Sequence, residues 1–243
     1  MNGQRSISNI VPMDDQKKPF YQRLTSFLSF NRSLTDSWKV RTYYGALARS
    51  RNFQARRSTV RSKVYLNAGC GPNIKPNFIN LDYDWAPGID LCWDLRKPLP
   101  FADGSINGVY SEHCLEHLTY GDCLIALREF KRVLRPNGTL RVVVPDAELY
   151  FDLYQKHKAG EQVSFPYVPT PPPEDFTPLM AINRVFREPG HLYAYDAATL
   201  GQALEQSGFK NVEKAGFMEG RDPVLLIDTP ERAIESLYVE GQA

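Results

Sequence analysis

No apolar run in the 243 residues approaches the ~18 to 20 needed to cross a bilayer, and the first residues lack the unbroken apolar stretch of a secretory signal. A cytoplasmic location is the resulting expectation. Cysteine is scarce: Cys70, Cys92, Cys114 and Cys123 form no CxxC pair, and none has the spacing of a zinc site. Reduced, partly buried thiols are expected, with neither a disulfide framework nor a metal. Excess charge is also missing overall, the net being +1, but it is present locally, since residues 1–63 hold 13 Lys/Arg against 3 Asp/Glu. Such a segment can lie on an anionic membrane or on nucleic acid, or remain a solvated extension.

A hydrophobic content of 42% over this length supports one substantial core with extensions. The expected division is a basic N-terminal extension, 1–61, followed by one domain, 62–243. Two short amphipathic helices fit the extension, one on Phe20, Leu24, Phe27 and Leu28, the other on Tyr43, Tyr44, Leu47 and Ala48. They could cover an active site, pack on the core or lie on a membrane. From Val64 the pattern changes to short apolar runs alternating with amphipathic stretches, as in a parallel sheet covered by helices. Strands are expected at Val64–Ala68, Phe78–Leu81, Ile89–Trp93, Ile106–Tyr110 and Thr139–Val144, with closing strands at Asn211–Phe217 and Ser236–Glu240.

A helix is expected before the fifth strand, because Cys123, Ala126, Leu127, Phe130, Val133 and Leu134 share one face, with Asp122 as its cap and Pro136 to Gly138 as its stop. Further helices are expected from Asp146 to about Gln155 and over Ala197–Ser207. Six prolines between 158 and 178 argue against regular structure there. Residues 158–195 are therefore expected to form a proline-rich, acceptor-side insertion, as long loops in compact domains often carry function.

The stretch Val64-Tyr-Leu-Asn-Ala-Gly-Cys-Gly71 follows a strand with two glycines, which let the backbone turn sharply and approach a ligand. Asp82 and Asp94 fall at the carboxyl ends of the next two strands, where ligands gather in open α/β sheets. The first can accept ribose hydroxyls and the second an adenine amino proton, with the amide near Leu95 reading a ring nitrogen. Together they point to a nucleoside site. A dinucleotide site would need a third glycine and a helix N-terminus for the pyrophosphate, but position 74 is Ile.

Five motifs, Leu66-Asn-Ala-Gly-Cys-Gly71, Ile79-Asn-Leu-Asp82, Asp94-Leu-Arg-Lys-Pro-Leu-Pro-Phe101, Ser111-Glu-His-Cys-Leu-Glu-His117 and Arg132-Val-Leu-Arg-Pro-Asn-Gly138, resemble those of class I S-adenosylmethionine-dependent methyltransferases, and among them the bacterial type 11 methyltransferase domain group. Gly190-His-Leu-Tyr-Ala-Tyr-Asp196 and Ser236-Leu-Tyr-Val-Glu240 are similar to this group's C-terminal portion. The resemblance implies a Rossmann-like α/β fold: a seven-stranded, mostly parallel sheet with helices on both faces and an antiparallel last strand. It implies S-adenosylmethionine as cofactor, bound by Asn67, Gly69, Gly71, Asp82, Asp94, Leu95 and Ser111. One departure is visible. Only about seven residues separate Gly71 from the second strand, too few for a crossover unit of ~10 to 12 or more, so the first crossover is shortened and Asp84 could replace Asp82 on the ribose.

Methyl transfer demands alignment of donor and acceptor and removal of a proton where the acceptor carries one; it requires no metal. His113, after the fourth strand, and His191, beside Tyr193 and Tyr195, are the catalytic candidates, with Glu112, His117 and Asp146 nearby in the pattern. His117 would share a helical face with His113. The expected activity is methylation, on oxygen, of a small molecule or glycan. Two other readings stay open: an RNA methyltransferase using the basic arm, and a protein that binds S-adenosylmethionine without catalysis. No RNA-binding motif is present, so nucleic acid is not the expected partner.

Overall fold

The computed structural model describes residues 38–50, 63–188 and 190–243. The first expected helix, on Phe20 to Leu28, lies outside the described residues. The second is present as α1, Trp38–Ser50. No helix among the described residues is long and apolar enough to cross a membrane.

The strands are β1 (Tyr65–Ala68), β2 (Ile79–Asp82), β3 (Leu91–Cys92), β4 (Ile106–Glu112), β5 (Leu134–Pro145), β6 (Lys210–Ala215) and β7 (Ser236–Gln242). They form a single seven-stranded sheet in the order β3-β2-β1-β4-β5-β7-β6. Strands β1 to β5 pair in parallel, whereas β7 runs antiparallel to both β5 and β6. The order reverses between β1 and β4, which is where such sheets open a crevice for a ligand.

Because side chains alternate across a strand, each strand contributes to two surfaces. Leu66, Ala68, Ile79, Leu81, Val109, Leu140, Val142, Leu237 and Val239 face one way and join the main core. Over them lie α2 (Tyr120–Val133) and α5 (Ala197–Gln206), through Ala126, Leu127, Phe130, Leu200, Ala203 and Leu204. Thr119, rather than Asp122, is the N-cap of α2; its hydroxyl accepts from the Asp122 amide at 3.2 Å and donates to the Asp122 carboxylate at 2.9 Å. Asp196 caps α5 by accepting from the Thr199 amide at 2.7 Å.

The opposite face is polar and aromatic. Tyr65, Tyr110, Val143 and Tyr238 pack with Phe78 and Leu225, while Arg141 and Glu240 project between them with no exposed surface. Every N–H of the Arg141 guanidinium is satisfied: Nε and Nη2 donate to Asp228 at 2.8 and 2.5 Å, and Nη1 donates to Glu240 at 2.9 Å. The remaining donors reach the carbonyls of Glu219 and Gly216 at 2.8 Å each. At the β3 edge of this face, Tyr44 and Ala48 of α1 pack on Trp85, Ile89 and Cys92.

The first crossover is short, as its length predicts, and among the described residues no helix forms between β1 and β2. Side-chain amides hold it instead. Asn67 Nδ2 donates to the Asn73 carbonyl at 2.9 Å and to Asn80 Oδ1 at 3.1 Å. Asn80 in turn accepts from the Lys75 amide and donates to the Lys75 carbonyl, both at 2.9 Å. A second departure lies in the proline-rich insertion. It carries a helix, α4 (Pro178–Arg187), packed through Ala181, Ile182 and Val185 onto Tyr150 of α3 (Ala147–Lys158). Pro178 sits in the first helical turn, where its missing N–H costs nothing, so a residue that looks like a breaker starts the helix.

Candidate active site

A cavity of about 540 Å³ opens at the carboxyl ends of β1, β2, β3 and β4, within the ~300–1,000 Å³ range of small-molecule sites. Its floor is the glycine loop. Gly69 and Gly71 both have positive φ, 69° and 50°, a region that side chains rarely adopt. A Cβ at Gly69 would stand 2.1 Å from Cys114 Sγ, so that position has no room for one. At Gly71 a Cβ would meet nothing within 4 Å, because the backbone there faces open space.

Asp82 grips this loop: Oδ2 accepts from the Gly71 amide at 2.7 Å and Oδ1 from the Asp84 amide at 2.9 Å. Burial raises its pKa against the lowering effect of these two bonds. Asp94, on the far wall, is bound in bidentate fashion by Arg96, with Nε–Oδ1 and Nη2–Oδ2 both 2.9 Å, and that ion pair lowers its pKa. Asn67, Leu95, Trp93 and Leu81 complete the lining on this side. The expected residues Asn67, Gly69, Gly71, Asp82, Asp94 and Leu95 thus all meet at one cavity. Ser111 does not. It is in phase with Val109 on the apolar face, fully buried beside the Cys114 thiol, so strand alternation takes it away from the lining.

The other end of the cavity is lined by Glu112, His113, His117 and Arg232. Glu112 was not expected as an anchor, yet it accepts from the Thr229 hydroxyl at 2.6 Å, the Thr229 amide at 2.9 Å and Asn73 Nδ2 at 3.1 Å. It therefore ties the glycine loop to the segment before β7. His113 has φ 47°, an uncommon conformation for a non-glycine residue. The chain then enters a single 3-10 turn, Leu115–His117, and His113 and His117 do not share the helical face that their spacing predicts.

The ring of His113 is fixed. The Ser236 hydroxyl donates to the Arg232 carbonyl at 2.7 Å, so it accepts from His113 Nε2 at 3.0 Å and leaves the lone pair on Nδ1. Nδ1 lies 3.6 Å from Glu116 Oε1. Burial, with Arg232, His191 and His117, lowers the His113 pKa to about 3, and burial raises that of Glu116 to about 8.

His191 stands behind this wall rather than in the cavity lining. Its Nδ1 donates to the Val185 carbonyl at 2.6 Å, and its Nε2 lies 3.9 Å from Glu116 Oε1. Its ring meets that of His117 edge-on at 4.8 Å. Glu116, His117 and His191 each offer a ligand atom within 4.8 Å of the others, a grouping that cysteine spacing could not reveal.

A glycine loop with an exposed backbone, two acids at successive strand ends and an apolar wall of Leu81, Trp93 and Leu95 make a cradle that fits a nucleoside-bearing methyl donor, in a sheet of the class I methyltransferase type. A model of the family described as Methyltransferase domain matches residues 40–214, and the chain belongs to that family. It is a class I S-adenosylmethionine-dependent methyltransferase acting on an acceptor substrate. The matched residues begin inside α1, which packs on the sheet edge.

No curated protein matches the chain. Among solved structures, it is similar to an S-adenosylmethionine-dependent methyltransferase from Archaeoglobus fulgidus, with 16% identity, TM-score 0.46, and 89% of this chain and 99% of that one covered. It is also similar to 1,6-didemethyltoxoflavin-N1-methyltransferase from Burkholderia thailandensis, solved with 1,6-didemethyltoxoflavin and S-adenosylhomocysteine bound, at 13% identity, TM-score 0.44 and coverages of 97% and 92%. A third similar structure is a complex of the Haloferax volcanii Trm112 methyltransferase activator with a methyltransferase, at 16% identity, TM-score 0.41 and coverages of 87% and 96%.

Proposed function

We propose that this enzyme methylates a hydroxyl oxygen of a small molecule or glycan, with S-adenosylmethionine held across Gly69, Gly71, Asp82, Asp94 and Leu95. S-adenosylmethionine supplies the methyl group: the acceptor oxygen forms the new bond to carbon, the sulfonium bond breaks, and S-adenosylhomocysteine leaves. The protein's own part is to bind, align and take up a proton. Gly71 brings bare backbone to the ligand, while Asp82 keeps the loop in place and has unused lone pairs for ribose hydroxyls. Asp94 turns from Arg96 toward the adenine amino group, with the Leu95 region beside it.

The observation that carries the oxygen reading is the polar end of the cavity, where Glu112, His113, His117 and Arg232 meet. Arg232 offers donors to an oxygen-rich acceptor. His113 takes the acceptor proton, because Ser236 holds its Nε2–H and the free lone pair is on Nδ1. The proton leaves the oxygen as the new bond forms and crosses Nδ1 only transiently before passing to water, since burial holds the His113 pKa at about 3.

Transfer of a labelled methyl group to a panel of hydroxylated small molecules and glycans tests this reading. The wild-type chain should label oxygen. His113→Ala should slow transfer by roughly 10² or more, the usual scale of a general base, while still binding S-adenosylhomocysteine. Label appearing only on nitrogen, or only on RNA, would replace the oxygen reading.

A further inference from the structure

We propose that Glu116, His117 and His191 form a binding site for one divalent transition-metal ion of the zinc type, at the acceptor end of the cavity. Two imidazoles and a carboxylate are a donor set suited to such an ion, and three protein ligands leave a coordination position open.

The polar atoms are otherwise unexplained. Glu116 is only 1% exposed, and neither of its carboxyl oxygens has a hydrogen-bond partner among the described residues. A buried carboxyl group left without a partner is costly, and a cation is the partner that the surrounding nitrogens can share. Both histidines are turned to supply a lone pair. A carbonyl can only accept, so His191 Nδ1 carries the proton given to Val185 at 2.6 Å and its Nε2 is bare, 3.9 Å from Glu116 Oε1. His117 Nδ1 faces the Gly190 carbonyl at 3.4 Å in the same manner. Imidazoles fixed by backbone carbonyls on their far nitrogen are the usual support of metal ligands.

The two segments that bring the ligands are joined independently of any ion: the amides of Leu192 and Tyr193 donate to the Glu116 carbonyl at 2.7 and 3.1 Å. Ligand atoms up to 4.8 Å apart must close by more than ~1 Å, since tetrahedral metal–ligand bonds of ~2.1 Å set them ~3.4 Å apart. His117 also lines the cavity, so an ion at its ring borders the space where the acceptor enters. There it can hold an acceptor oxygen and make its proton easier to remove, a role that rests on the oxygen-methylation reading.

Titration of the chelator-stripped full chain with Zn²⁺ in a calorimeter, without donor or acceptor, tests the site apart from the chemistry. One equivalent should bind, and Zn²⁺ should raise the midpoint of thermal unfolding. Glu116→Gln, isosteric but uncharged, and His191→Ala should each weaken binding by more than ~100-fold, since even supporting residues cost ~10–100-fold. His157→Ala, which changes an exposed histidine of α3 outside the cluster, should bind as the wild type does. Binding of S-adenosylhomocysteine by the same variants reports that they are folded, and its loss in the wild type would overturn the cofactor reading instead. Absence of stoichiometric Zn²⁺ binding, or binding unchanged in Glu116→Gln and His191→Ala, would overturn the metal site and leave Glu116 as a neutral carboxyl group beside His113.

Discussion

Leu140 and Arg141 are neighbours on the same central strand, equally buried, and belong to two different kinds of interior. The Leu140 side is an apolar layer closed by α2 and α5, in which burial itself supplies the driving force. On the Arg141 side the layer holds Asn67, Asn80, Glu112, Arg141 and Glu240, and it keeps together because each polar group meets another. The cavity opens where these two interiors end. One interior tolerates change in proportion to volume, the other in proportion to unmatched charge.

Arg141→Met is the sharpest way to break the contrast. It strands Asp228 and Glu240 without their countercharge and should cost ~3–5 kcal/mol, read as a fall in the denaturation midpoint. Adding Asp228→Asn and Glu240→Gln should return most of that loss, although no volume is restored. Leu140→Ala should cost ~2–5 kcal/mol, set by the cavity it leaves. Neutralising the carboxylates on the other face should do nothing for it; rescue there would mean that the two faces are coupled. The smallest effect tests the edge of the apolar layer: Thr119→Ala removes the N-cap of α2 and should cost ~1 kcal/mol.

The apolar interior was legible because its rules are periodic. Residues 123, 126, 127, 130 and 133 mark α2 by spacing alone, and all are buried as that spacing predicts. Short apolar runs similarly foretold β1, β2, β4 and β7, although β3 shrank from Ile89–Trp93 to Leu91–Cys92 and β5 grew from Thr139–Val144 to Leu134–Pro145, taking Leu134 from the helix expected to hold it. The polar interior was not legible. A charged residue in a strand reads as a solvent-facing position, and nothing local tells that Arg141 meets Asp228 and Glu240, 87 and 99 residues away.

The same division runs through the site. Gly69, Gly71, Asp82 and Asp94 stood out because strand ends and glycines are local signals. The anchoring role of Glu112, and the meeting of Glu116 with His191, depend on a turn and a distant segment. Phase also misled: Ser111 sits one residue from Glu112, so it projects to the opposite face. The helix α4 was hidden by composition, since prolines on either side of 170 obscured a proline that belongs to a first turn.

The separation between Arg141 and its two carboxylates also sets an order in time. As the chain leaves the ribosome, β5 is complete while Asp228 and Glu240 have yet to be made. Its guanidinium must wait in water, because burying it alone would be prohibitive. The apolar packing of α2 on β1 to β5 can therefore gather first, whereas the tie from Glu112 to Thr229 forms only once the segment before β7 arrives. A nascent chain halted just short of Asp228 would have α1 to α5 but not the Glu112–Thr229 tie that braces the glycine loop.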